Sequence, residues 1–217
     1  MSAKIAAGIV IALIVGSVVG LYASPLVLPA KVTPVTTGKA ADLRLTINTL
    51  LFNHIFYTRE AIVTFFRNDQ NALSSAVDEL NDNTKELSDA IASIYGADAG
   101  KQFGAIWQTH VDALVEYMKA TAVNDASKQA AAVSKLNAYT QDLAKFLSDA
   151  NPNLSYGSLV ALLQGHIGFH KQEIDILSKG DFAGELGAVW DSLVDNIVQI
   201  ADVLAFAIVK QFPDKFT

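Results

Sequence analysis

The stretches LLFNHI (residues 50–55), IWQTHV (residues 106–111) and LLQGHI (residues 162–167) decide how this chain is read. Each places an apolar residue four positions ahead of a histidine, which is helical spacing. His54, His110 and His166 follow one another at intervals of 56 residues. Fourteen residues after each histidine stands Asn68, Asn124 or Gly180, and an aspartate comes next every time: Asp69, Asp125, Asp181. Asn and Gly suit the left-handed residue that ends a helix, and Asp suits the cap that starts the next. A valine lies eight residues on from each aspartate (Val77, Val133, Val189), Leu80 matches Leu136, and Asn81 matches Asn137, after which the third unit departs. The pattern predicts three helical hairpins with a 56-residue period. Such units cannot bury their apolar faces alone and must pack on one another.

Outward from these stretches the apolar spacing stays at three and four, and no proline occurs between Pro34 and Pro152. The expected helices span 41–67, 70–95, 101–123, 126–149, 155–179 and 182–212, with breaks at Asn68-Asp69, GADAG (residues 96–100), Asn124-Asp125, NPN (residues 151–153) and Gly180-Asp181. The fold expected is all-α: a bundle of about six antiparallel helices over residues 41–217, favoured over a short open stack.

Ahead of it, residues 24–40 carry Pro25, Pro29 and Pro34 and read as an extended linker. Residues 5–23 carry no charge; 19 residues span about 28 Å as a helix, close to a bilayer's hydrocarbon thickness. Residues 1–23 therefore read as a membrane anchor, with a cleaved signal segment as the alternative. Both readings place the rest on the extracytoplasmic side.

The chain has 217 residues, 51% of them hydrophobic, and a formal charge of −6. No basic stripe is available to neutralise phosphates, which argues against a nucleic-acid partner. Without cysteine there are no disulfides, thiolate metal sites or cysteine nucleophiles. No Ser-His-Asp context, phosphate loop, HExxH or Glu-x-x-His of di-iron bundles occurs, so an enzyme is not expected.

The histidines carry the remaining chemistry. A buried histidine that donates to a neighbouring helix and packs well is one reading. A metal site is the other, since imidazole suits copper and zinc and bundle interiors house such sites. Two methionines and no cysteine argue against a Cu(I) carrier. The third copy, GHIGFHKQE (residues 165–173), is the strongest local candidate, because His166, His170 and Glu173 share one face. Gly165 and Gly168 flank that face and suit close approach of a neighbouring helix. His54 and His110 complete the candidate set. Glu60, Glu116, Asp195 and Asp202 are weaker cross-helix candidates. In the last helix residues 203–209 (VLAFAIV) are apolar all round, which fits central burial or contact with a partner.

LLFNHIFYTREA, the segment from ELNDNTKEL through IYGADAGKQFGAIWQTHVDALVEYMKAT, LLQGHIGFH and the terminal FAIVKQFPDKF resemble an uncharacterised family of extracytoplasmic all-helical proteins of bacteria and archaea. Some of its members are attached to copper-amine-oxidase-like N-terminal domains. The resemblance covers about residues 43–216, and the IYGADAG-to-WQTH segment is its most specific part. It implies secretion or anchoring and a connection to metal, with no established activity. The family's last helix often has a histidine where this chain has Asn196. That departure weakens a four-histidine site with Asn196's position in it and shifts weight to His170. Two functions are expected: a membrane-anchored extracytoplasmic bundle that binds copper or zinc through buried histidines, or a non-catalytic accessory subunit that docks a protein partner in a larger membrane or surface assembly.

Overall fold

A computed structural model of the chain describes residues 38–216. The expected membrane segment at residues 5–23, and all of the linker up to residue 37, lie outside the described residues. Six long helices follow: α1 (Gly38–Phe66), α2 (Gln70–Tyr95), α3 (Ala97–Ala122), α4 (Ala126–Ala150), α5 (Tyr156–Leu177) and α6 (Phe182–Gln211). No strand occurs among the described residues. Residues 38–40 already belong to α1, and Ala40 is buried. Nothing after Pro34 removes a backbone donor there, and alanine is the best helix former.

The turns follow from their residues. Asn68 and Asn124 adopt φ of 57° and 55°, and Gly180 adopts 76°. After α1, Asp69 N donates to Thr64 O at 3.0 Å and Asn68 N to Phe65 O at 3.1 Å; after α3, Asp125 N and Asn124 N make the equivalent bonds to Ala120 and Thr121. These are Schellman turns with asparagine in the left-handed position. Asp69, Asp125 and Asp181 then cap the next helices by accepting from the backbone N–H of Ala72, Lys128 and Gly184 at 3.1, 3.0 and 2.8 Å.

The break at GADAG is narrower than expected. Gly96 alone breaks the helix, at φ 97°, and α3 starts at Ala97. Gly100 is instead a packing residue: a Cβ there would lie 2.6 Å from both the Ala92 Cβ and the Ser88 backbone oxygen of α2. Gly100→Ala gains about 1 kcal/mol of helix propensity but forces two backbones apart, at about 1–3 kcal/mol or more. We expect a net loss of about 1–2 kcal/mol, read from the urea unfolding midpoint.

Each helix packs on the next, and α6 packs back on α1, so the ring closes. One continuous apolar core runs through it, from Ile47 and Leu51 on α1 to Ile200 and Ile208 on α6. Among the described residues, α6 is the one helix long and apolar enough to cross a membrane. Its inward residues Val189, Leu193, Ile197, Ile200 and Ala205 are buried within the bundle. No residue of 203–209 is exposed. Asp202 on the outer side pairs with Arg44 of α1 at 2.6 Å.

A π-turn at Leu186–Trp190 interrupts α6. A π-turn accommodates one additional residue in a helix, and it lies where the third sequence unit departs from the first two. The buried positions on α2, α4 and α6 are Ala76, Ala132 and Val189; Leu80, Leu136 and Leu193; Asn83, Tyr139 and Asn196. From α4 to α6 these are offset by 57, not 56. The match of Val77 with Val189 is thereby corrected: Val77 is exposed while Val189 is buried.

Candidate metal centre

Helices α1 and α3 each deliver one imidazole to the middle of the bundle, and α5 delivers two. The periodicity that faces Leu51, Ile55 and Ile62 inward also faces His54 inward. Phe103, Trp107 and Leu114 do the same for His110, and Leu159, Leu163 and Ile174 for His166, His170 and Glu173. All five polar side chains are at most 1% exposed.

His54, His110 and His166 each offer a ring nitrogen, and these atoms lie within 4.8 Å of one another. Some point then lies within about 2.8 Å of all three atoms, against metal–nitrogen bonds of about 2.0–2.1 Å. An inward shift of up to about 0.8 Å per ring completes a three-imidazole ligand set. His170 sits beside the trio, its ring centroid 4.6 Å from that of His166 and 6.1 Å from that of His54.

Hydrogen bonding assigns the free lone pairs. The Trp107 carbonyl can only accept, so His110 Nδ1 carries the proton and donates to it. His110 Nε2 is then a lone pair, and it accepts from His54 Nε2–H at 3.2 Å. His54 Nδ1 has no partner, nor has either ring nitrogen of His166. His170 Nδ1 lies 2.9 Å from Glu173 Oε2, which leaves His170 Nε2 without one. A carboxylate on the far nitrogen of an imidazole fixes its tautomer and raises its basicity as a ligand.

Burial holds all four imidazoles neutral. It pushes His170 down to about 3 and the other three well below the usual histidine value; the neighbouring imidazoles push His54, His110 and His166 further down, and the Trp107 carbonyl partly opposes this at His110. Burial, and then the nearby Glu185, push the Glu173 carboxyl up, while Arg59 opposes them.

Glu185 and Arg59 were not legible as parts of this centre. Glu185 is fully buried at the start of the π-turn and receives the Arg59 guanidinium as a fork, with Nη2 to Oε2 at 2.8 Å and Nε to Oε2 at 3.1 Å. The signal available was an arginine five residues after His54 on the same helix, about one and a half turns on, but its partner lies 126 residues away. Tyr139 was missed too; its ring stacks on His110 at 4.4 Å.

The weaker candidates lie outside the centre. Glu60 meets Arg59 at 3.4 Å, Glu116 pairs with Lys135 across to α4 at 2.6 Å, and Asp195 is exposed. Asn196 Nδ2 donates to Leu162 O at 3.2 Å. Gly165 gives α6 close approach, since a Cβ there would lie 3.3 Å from Asn196 Nδ2, whereas Gly168 faces open space.

No family model, curated protein or solved structure matches the chain.

Proposed function

We propose that this protein is a membrane-anchored extracytoplasmic bundle that binds one divalent transition metal, copper or zinc, through His54, His110, His166 and His170. The observation that carries the reading is the convergence of buried ring nitrogens of His54, His110 and His166, from three helices, within 4.8 Å of one another, beside partnerless ring nitrogens on His54, His166 and His170. A buried polar group left unpaired costs about 1–3 kcal/mol. Four such nitrogens occur here, on His54, His166 and His170. A cation supplies what each lone pair lacks. Imidazole-only ligation without thiolate suits Zn(II) and Cu(II).

Three copies of one hairpin account for this convergence. The turns at Asn68, Asn124 and Gly180, the caps at Asp69, Asp125 and Asp181, and the matched buried positions on α2, α4 and α6 support a repeat. Alternate helices of a closed antiparallel ring of hairpins then place equivalent residues about one axis. The uncharged residues 5–23 support the anchor.

Metal analysis of the purified full chain tests the reading. After chelation and re-addition of Zn(II) or Cu(II), dialysed protein is expected to hold one equivalent and to melt at higher temperature, because a ligand that binds only the folded state stabilises it. Retention of less than about a tenth of an equivalent, with an unchanged melting temperature, overturns it.

A further inference from the structure

Beside the histidine layer the core holds an apolar cavity of about 60 Å³. The same helix faces set its place. On α1 its lining ends at Leu51, on α3 at Trp107 and on α5 at His166. One helical turn further along those faces stand His54, His110 and His170. Away from that layer the lining runs along α4 from Tyr139 to Ala150 and along α6 from Ile197 to Ile208. Each is a path of eleven residues, about 16 Å at the helical rise of 1.5 Å per residue. The far end reaches Tyr95 and Ala150, both half-buried, where α2 and α4 end.

Size and walls decide what such a space takes. One buried water needs about 10–15 Å³ and about two to four polar partners. The volume admits several waters, but the lining is almost wholly leucine, isoleucine, alanine and phenylalanine. The partnerless Nε1 of Trp107, hydroxyl of Tyr139 and ring nitrogens of His166 expose almost no surface, so none of them serves a water there. Apolar cavities of this kind stay dry and take apolar ligands, and benzene needs about 150 Å³. The space here is too small for an aromatic ring or an alkyl chain. It suits a molecule of one or two heavy atoms.

We infer that this cavity holds an uncharged apolar gas, of the size and class of dioxygen, one helical turn from the imidazole cluster. The gas gains dispersion contacts with walls that otherwise face empty space. It gives up little in leaving water, because it has no strong hydrogen bonds there to lose. A charged or hydrogen-bonding ligand finds no partner among these side chains. Occupancy needs no metal, so the inference stands or falls apart from the metal reading. It places a small neutral molecule against His166, a ligand of the proposed metal.

The test is NMR of the full chain in detergent, with chelator present and methyl labels on isoleucine and leucine, under pressurised oxygen and again under nitrogen. Oxygen is paramagnetic and speeds the relaxation of methyls where it resides. Ile47, Leu143 and Leu163 line the cavity, whereas Leu136 and Leu177 are at least as deeply buried and do not. A solute of two apolar heavy atoms prefers apolar surroundings to water by about tenfold, so the lining methyls are expected to gain about fivefold more relaxation than the buried controls. Leu204→Phe puts a ring into the space and is expected to remove that excess; Ala150→Leu serves the same purpose if the first variant fails to fold. Enhancement as large at Leu136 and Leu177, or undiminished in the folded variant, overturns the proposal. Cross-relaxation of the lining methyls with water marks a hydrated cavity and overturns it as well.

Discussion

His166→Leu is expected to make the metal-free protein more stable and to abolish its stabilisation by metal. The substitution removes two buried nitrogens that have no partner and puts a side chain of similar size among Leu159, Leu162 and Leu163. Relief of unpaired buried polar groups contributes about 1–3 kcal/mol. In the wild type, metal at a hundred times its dissociation constant adds about 2.7 kcal/mol, which at this size raises the melting temperature by roughly 5–10 °C. The variant should gain nothing measurable from the same metal. The opposite signs are the point of the experiment: a histidine kept for packing would destabilise when removed and leave any metal response intact. Thermal melts of both proteins, chelated and metal-loaded, check it. A less stable chelated variant with an undiminished metal response contradicts the assignment. A gain in stability with loss of binding is what a site held at the expense of the fold produces.

Stability of the chelated protein is expected to fall by about 4 kcal/mol for each pH unit between roughly pH 6 and pH 5. The four imidazoles have folded pKa values below the ordinary 6.5. Their contribution is fully present above that value and is lost as pH falls, because the unfolded chain takes up protons that the folded core refuses. For His170 the loss continues down to about pH 3. Glu173 runs the other way: its folded pKa is above 4.5, so its contribution is present below that value and is lost as pH rises. Four protons gained on unfolding less one gives about three, each worth about 1.4 kcal/mol per pH unit. Against a total of about 5–15 kcal/mol for a typical domain, a loss of this size removes a large part of the stability by pH 5. Urea titrations at half-unit steps from pH 7.5 to 5 give the slope directly. A flat profile over that range contradicts neutral burial of the four rings. Bound metal is expected to shift the whole profile to lower pH, since protons and metal compete for the same nitrogens.

Much of the fold was legible because it is written locally. A left-handed Asn or Gly followed by a capping Asp is a property of two adjacent residues, and it placed three turns to the residue. Helical spacing then fixed which face of each helix is buried, and the histidines shared that face. Gly100 misled because a glycine reads as a breaker locally and acts here as a seam, a role that exists only against Ser88 and Ala92. The register of α6 misled by one residue because a π-turn cannot be told from an insertion without the buried face to count against.

The site divides in the same way. Sequence alone placed three histidines at a 56-residue spacing and ranked GHIGFHKQE first, since HxxxHxxE is a local pattern. Only the tertiary structure decided that these histidines meet. Closure of α6 on α1 turns the three first helices toward one axis, so His54 and His110 stand level with His166. Distances between separate helices depend on how the whole ring packs, and no spacing along the chain contains them. The same holds for Glu185: its burial against Arg59 joins residues 126 apart. Residues of one helix face reveal their chemistry by period, whereas residues of different helices acquire theirs when the core closes.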